Sequence, residues 1–220
     1  AVASVGVQAI TNPEEKKHNS FSMIIVDAKA KGITRNKIKG KMGIRASDTA
    51  EIAFEDVRVP QANLLGKEGR GFYQLMHFFD TTRSMIAGQA LGLSVACLEA
   101  SVKYCKERTA FGAPLGSYQL TQKKLAEMAI QIEALRTLTY RAAWTFDIGK
   151  PDYTLSAMAK FLGGQTAVFC ANNAVELHGG YGYIDEYVVQ KYYRDAKILE
   201  LYEGTKEAEI MTIGRVLQSK

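Results

Sequence analysis

Along the first 65 residues, apolar positions alternate with polar ones in short runs, at 2–10, 20–26, 33–38 and 51–59. Such period-two runs predict strands whose successive side chains point to opposite faces. Asn12-Pro13, Lys31-Gly32, Gly40 and Ser47-Asp48 fall between the runs as turn signals, and Pro60 closes the last one. This amounts to about half of a barrel or sandwich, so its strand edges would need partners.

From Gly69 the period becomes helical. Phe72, Leu75, Met76, Phe79, Met85, Ile86, Leu91, Leu93, Ala96 and Leu98 recur at three-to-four spacing, which predicts a helix to about Lys106. Gly88 and Gly92 lie four apart on it, where a neighbouring backbone or a ligand could approach. A second helix is expected to open at Ser117, stripe one side with Leu125, Met128, Ile132, Leu135, Ala142 and Phe146, and stop at Gly149. Asp152 reads as the cap of a third, ending before Gly179-Gly180. A shorter helix at about 187–199 and a terminal one at about 206–217 complete the pattern. The predicted class is α+β: a partial antiparallel β-domain over 1–65, then an all-α antiparallel helical bundle over 66–220.

Composition narrows the possibilities without changing this picture. The chain has 220 residues, 47% hydrophobic and 23% charged, in the ordinary globular range. Its net charge of +5 is mildly basic, with lysines gathered between 29 and 41 but no interleaved aromatics. A solvated strand face is expected there rather than a nucleic-acid site. No apolar run approaches the roughly 20 residues a membrane span requires, so no membrane span is expected. Cys97, Cys105 and Cys170 are odd in number and lack metal-ligand spacing, and His18, His77 and His178 are scattered. Neither a disulfide framework nor a metal site is expected, which suits a reducing compartment.

Candidate chemistry centres on Tyr202-Glu203-Gly204-Thr205. A carboxylate between an aromatic ring and a glycine suits a partly desolvated general base, and Gly204 would let a substrate approach the backbone. Thr205 reads as a helix N-cap with Glu207 in the first turn. A solvated turn acid would look the same in isolation. The wider order of motifs adds specificity: Arg108-Thr-Ala-Phe111-Gly112, Gln119, Leu125-Ala-Glu127-Met128, Glu176-Leu-His-Gly179-Gly180-Tyr-Gly182-Tyr183, Tyr192-Tyr-Arg194-Asp195-Ala-Lys197-Ile198, then Tyr202 to Thr205. Upstream stand Lys41-Met-Gly-Ile-Arg45-Ala-Ser47-Asp-Thr49, Phe54-Glu-Asp-Val57-Arg-Val-Pro60 and Gly66-Lys-Glu-Gly-Arg-Gly71-Phe72. Together these resemble the acyl-CoA dehydrogenase family over essentially the whole chain.

The resemblance implies an FAD-dependent α,β-dehydrogenation of an acyl-CoA thioester, with hydride leaving the β-carbon for flavin. It implies that an N-terminal helical domain and the first half of the β-domain precede residue 1. Glu203 matches the family's base, and its own backbone N–H the implied donor to the thioester oxygen. Some members carry the base on the first bundle helix instead, where this chain has Thr82, whose hydroxyl does not serve as a base near neutral pH. Asp80, Arg83, Tyr202 and Gly204 match substrate-side positions, although Asp80 and Arg83 could equally form an ordinary helix ion pair.

Arg108, Thr109 and Phe111 match a segment that reaches FAD in a neighbouring subunit, the arginine forking onto the pyrophosphate. Alternatively Arg108 satisfies carbonyls at its helix end. Gln119, Thr205 and Glu207 match positions near other parts of FAD. Glu176, Gly179 and Gly180 match a loop whose backbone approaches the adenine diphosphate, with glutamate where glutamine is usual. His178 reads as a packed or capping residue, and Trp144, Tyr192 and Tyr193 as core or subunit contacts. Implied partners are acyl-CoA, an electron-transfer flavoprotein and further copies of the chain, as a homodimer or homotetramer. The implied setting is the bacterial cytoplasm or mitochondrial matrix. An oxidase that returns electrons to oxygen, or a non-catalytic assembly module, would share much of this pattern.

Overall fold

Hairpins come first in the chain, as the alternating pattern predicts, and long helices follow. In the computed structural model, which describes residues 3–218, strands β1 (Ser4–Ile10) and β2 (Phe21–Asp27) pair antiparallel with Val7 opposite Ile24. Strands β3 (Ile33–Lys37) and β4 (Ala50–Phe54) form a second antiparallel ladder with Arg35 opposite Ile52. Val2, expected to open β1, lies outside the described residues. The backbone divides into two compact units, residues 3–41 with 45–79, and residues 42–44 with 80–218.

In the first unit, Ser22 is fully buried and anchors the turn that leads towards the helices. Its hydroxyl accepts from the Gly69 N–H at 2.9 Å and shares a 2.7 Å hydrogen bond with Thr11. The expected fourth strand stops five residues early. Asp56 takes φ +48°, a left-handed turn that ends pairing although the apolar alternation continues to Val59.

The second unit is helical. Its elements are α1 (Gly71–Glu107), α2 (Gln119–Asp147), α3 (Tyr153–His178), α4 (Val189–Ala196) and α5 (Lys206–Gln218). Residues 71–79 of α1 belong to the first unit. Side-chain pairs fix the helix directions. Ser84 meets Ser156 near the starts of α1 and α3, and Tyr104 stacks on His178 near their ends, so these two run parallel. Lys124 at the start of α2 pairs with Glu176 at the end of α3, which makes α2 antiparallel to both. The core between them holds Ala90, Leu91, Cys97, Met128, Ile132, Leu135, Ala167 and Cys170. Burial pushes the Cys97 and Cys170 thiols up to about 12, which leaves them protonated packing groups.

Local chemistry explains the helix ends. Asp152 caps α3 as expected, accepting from the N–H groups of Thr154 (2.9 Å) and Leu155 (3.0 Å). Ser117 does not cap α2: its hydroxyl turns back to the Pro114 carbonyl, and the helix begins at Gln119. The expected helix over 187–199 is shorter than its periodicity suggests, because residues 197–200 tighten into a 3-10 turn. There α3 comes so close that a methyl on Gly164 would stand 2.9 Å from the Leu199 carbonyl oxygen.

No neighbouring backbone closes on Gly88 or Gly92, since a methyl on either would meet nothing within 4 Å, which leaves the ligand alternative open there. The close approach is at Gly163, whose added methyl would stand 3.1 Å from Ala90 Cβ. Trp144 is exposed rather than core. The membrane-length expectation also needs correction. Helix α1 is the one described helix long and apolar enough, by length and composition, to cross a bilayer, with a window of mean hydropathy 1.5. Gly88, Gln89, Gly92 and Ser94 interrupt its apolar run and hid this. Its buried positions (Ala87, Ala90, Leu91, Ser94, Cys97, Ser101, Cys105) recur at core-helix spacing, and Ser94 and Ser101 bond carbonyls four residues back.

The segment 42–44 is fastened to α4. Asp195 accepts from the Ile44 N–H at 2.6 Å, and Arg194 donates to the Met42 carbonyl at 3.1 Å. Ile44 sits at φ +45°, a genuine outlier for a β-branched residue, so the bonds to α4 hold a strained turn.

Candidate functional site

Between the 3-10 turn and α5 the chain makes an abrupt left-handed step. Glu203 takes φ +57° and Gly204 φ +108°. A non-glycine residue there is disfavoured by its Cβ, so surrounding contacts must hold it. Those contacts come from α1, α3 and α5. Thr82 on α1 donates to Glu203 Oε2 at 2.5 Å. Lys160 on α3, 1% exposed, donates from Nζ to the Gly204 carbonyl. Glu209 on α5, fully buried, lies against Gly204, where a methyl would stand 2.4 Å from its Oε1.

Charges beneath the turn are interlocked. Arg83 pairs with Asp80 at 2.6 Å, and its Nε lies 3.2 Å from Glu209 Oε1. Asp80 and Arg83 do form an i,i+3 pair, but a buried one that also serves α5. Burial pushes the Glu209 carboxyl up against the opposing pull of Arg83 and Lys160, and pushes the Lys160 amine down against the pull of Glu209. Tyr202 donates to Gln89 on α1, and burial together with the Glu203 charge raises its phenol. Glu203 itself is half-buried, and its backbone N–H makes no hydrogen bond among the described residues. The arrangement offers a carboxylate and a free N–H side by side on a braced turn.

A second group gathers at the far ends of α1 and α3. Arg108, Glu176, Gly179 and Gly180 line one cavity of about 580 Å³ with Tyr104, Tyr181 and others. The Arg108 guanidinium lies 5.4 Å from the Tyr181 ring centroid and, among the described residues, pairs with no carboxylate and caps no carbonyl. Methyl groups built on Gly179 or Gly180 would meet nothing, so this backbone is open to a ligand. Lys124 and Asn172 bond Glu176 and hold its carboxyl below the usual range. An unpaired guanidinium beside open glycine backbone fits a diphosphate. Pairing with Lys124 removes most of the objection to a glutamate at that edge. His178 is buried, stacked on Tyr104 at 4.1 Å and bonded to the Ala174 carbonyl at 2.8 Å, a packed residue as expected.

The other expected residues lie apart from that cavity. Thr109 and Ala110 (β5) pair with Ala113 and Pro114 (β6) in a short hairpin. Its two-residue turn places Phe111 (φ +52°) and Gly112 (φ +83°) in the left-handed region, a primed turn with an aromatic at its tip. The Phe111 side chain is 98% exposed. Gln119 opens α2. Thr205 accepts from the Ala208 N–H at 3.4 Å as the α5 cap, and exposed Glu207 is held below its usual range by its own N–H and Thr205. Sequence reasoning missed Lys160 and Glu209. Their signal was present in charges embedded in the otherwise apolar stretches 155–163 and 208–213.

Comparison with known proteins adds an independent line. A sequence model of the acyl-CoA dehydrogenase C-terminal domain matches residues 69–218. The mitochondrial short-chain specific acyl-CoA dehydrogenase of Mus musculus is 43% identical over 218 residues, 99% of this chain and 53% of its own length. An NADH-linked acryloyl-CoA reductase of Anaerotignum propionicum is 43% identical over 212 residues, 96% of this chain and 54% of its own. The solved butyryl-CoA dehydrogenase of Megasphaera elsdenii superposes with a TM-score of 0.94 at 42% identity, covering 97% of this chain and 55% of that one. The chain thus spans about half the length of the curated relatives it matches.

Proposed function

Because the chain belongs to the acyl-CoA dehydrogenase family, we propose that its full-length protein carries out FAD-dependent α,β-dehydrogenation of an acyl-CoA thioester, with Glu203 removing the α-proton. The observation that carries this reading is the bond from Thr82 to Glu203. The two positions that the family resemblance offers for the base face each other here, and of the two side chains only a carboxylate serves as a general base. Thr82 then orients the carboxylate through its hydroxyl. The free Glu203 N–H lies within the same residue, suited to bind a thioester oxygen as negative charge develops on it.

Bound FAD supplies the acceptor for the β-hydride. Arg108 and the Gly179-Gly180 backbone would hold its diphosphate, the guanidinium by a fork and the backbone by close approach. Gln119, Thr109, Thr205 and Glu207 would serve more peripheral parts of the cofactor. Phe111 on its exposed hairpin tip suits insertion into another copy of the chain, in a homodimer or homotetramer. An electron-transfer flavoprotein would take the electrons onward. Anaerobic titration of the flavin-loaded protein with acyl-CoAs from butyryl-CoA upward tests the reading. Flavin bleaching with formation of the trans-2-enoyl thioester is expected, and an unchanged flavin spectrum with every thioester would refute it.

A further inference from the structure

Helix α3 buries a lysine in a stretch otherwise fit for packing alone. Lys160 stands among Leu155, Ala157 and Ala159, and the residue is 1% exposed. A methionine there would fill similar space without the cost of burying a charge, so the charge needs an explanation in what it holds. Its one hydrogen bond among the described residues goes to the Gly204 carbonyl. The charged groups around it come from α1, the 3-10 turn, the left-handed turn and α5: Asp80 and Arg83, Glu200, Glu203, and Glu209.

We propose that Lys160 is the positioning residue that pins the backbone of the left-handed turn at Glu203 and Gly204, and so aims the Glu203 carboxylate and its N–H. The inference rests on Glu203 as the base. Two clamps then act on adjacent residues. Thr82 fixes the end of the Glu203 side chain, and Lys160 fixes the Gly204–Thr205 peptide one step further on. A glutamate does not readily hold φ +57° unaided, whereas Gly204 reaches φ +108° without steric cost. Because burial disfavours the ammonium form and a neutral amine is the weaker donor, the pin should weaken on the alkaline side at a pH below the ordinary lysine range.

The test uses the flavin-loaded full-length protein and single-turnover flavin reduction by butyryl-CoA, measured against pH. Lys160→Met should keep its flavin and its butyryl-CoA affinity, yet reduce flavin about 10- to 100-fold more slowly, the penalty of a displaced catalytic group. Its rate should also lack the wild type's alkaline decline. Lys160→Met/Glu209→Gln removes the carboxylate left behind and should be equally slow. Lys160→Arg should recover part of the rate. A wild-type rate in either methionine variant would overturn the proposal, as would recovery in the double variant, which would assign the defect to stranded Glu209. A wild-type rate level up to about pH 10.4, the ordinary lysine value, would overturn it even if neither variant folded. Glu203→Gln serves as the separate control: normal reduction in that variant would remove the base on which the inference rests.

Discussion

Replacing Gly204 by alanine should damage stability out of proportion to one methyl group. The residue sits at φ +108°, and holding a side chain in such a sparsely populated region costs about 1–3 kcal/mol. The new Cβ would stand 2.4 Å from Glu209 Oε1. That oxygen has little room to yield, because Glu209 is fully buried and its carboxylate faces Arg83 at 3.2 Å. Relief of the clash draws Glu209 away from Arg83, and loss of a partner from a buried ion pair costs about 3–5 kcal/mol when complete. With partial displacement, Gly204→Ala should destabilise by about 3–5 kcal/mol in total.

Urea unfolding measures this through the transition midpoint at constant slope. Gly214→Ala on α5 is the control of opposite sign: a methyl there meets nothing within 4 Å, and alanine in a helix interior gains about 0.5–1 kcal/mol. A Gly204→Ala loss under about 1 kcal/mol would refute the claim that the turn is wedged on a rigid buried carboxylate.

Two further outcomes follow. Arg108→Ala should weaken FAD retention by about 10- to 150-fold, the loss of one charge-assisted contact, and Arg108→Lys should restore only part because an ammonium cannot fork. Full flavin occupancy in the alanine variant would remove the cofactor role. His178, whose imidazole burial pushes below its ordinary value, stays neutral in the fold while the unfolded chain takes up a proton below about pH 6.5. Stability should therefore fall as pH drops from about 6.5 towards the depressed folded value, and His178→Phe, which keeps the stack on Tyr104, should flatten that slope in thermal melts.

Elements written in local chemistry were legible in the sequence. The Asp152 cap, the helical period of α1, the stripe of α2 and the Gly179 stop needed only neighbouring residues, although the buried face of α1 runs through Ala87, Ala90, Ser94 and Cys97 and leaves Met85 exposed. Ser117 was misread because a serine hydroxyl serves a turn carbonyl as well as a helix N-terminus, and nothing nearby in sequence chooses between them. The end of β4 was misplaced because a left-handed Asp56 leaves no mark in hydrophobic alternation.

The candidate site divides in the same way. Glu203 stood out through its motif, and Arg108 with the 176–180 loop through theirs. The juxtaposition of Arg108 with Glu176, Gly179 and Gly180 in one cavity came only with the fold. Arg83, Lys160 and Glu209 lie on three different helices, and each alone is an ordinary charged residue. What makes them a unit is shared burial beneath a strained turn, a property of tertiary packing that local sequence does not carry.

If Glu203 is the α-proton base, Glu203→Gln removes the base with little other change. Glutamine keeps the shape of the side chain and can still accept from Thr82, so flavin content and acyl-CoA affinity should persist. Rapid mixing of the flavin-loaded full-length variant with butyryl-CoA, followed by absorbance, gives the rate of flavin reduction. That rate should fall by at least the ~10²–10⁴-fold that a positioned general base contributes. Flavin bleaching at the wild-type rate would contradict the assignment of Glu203 as the base.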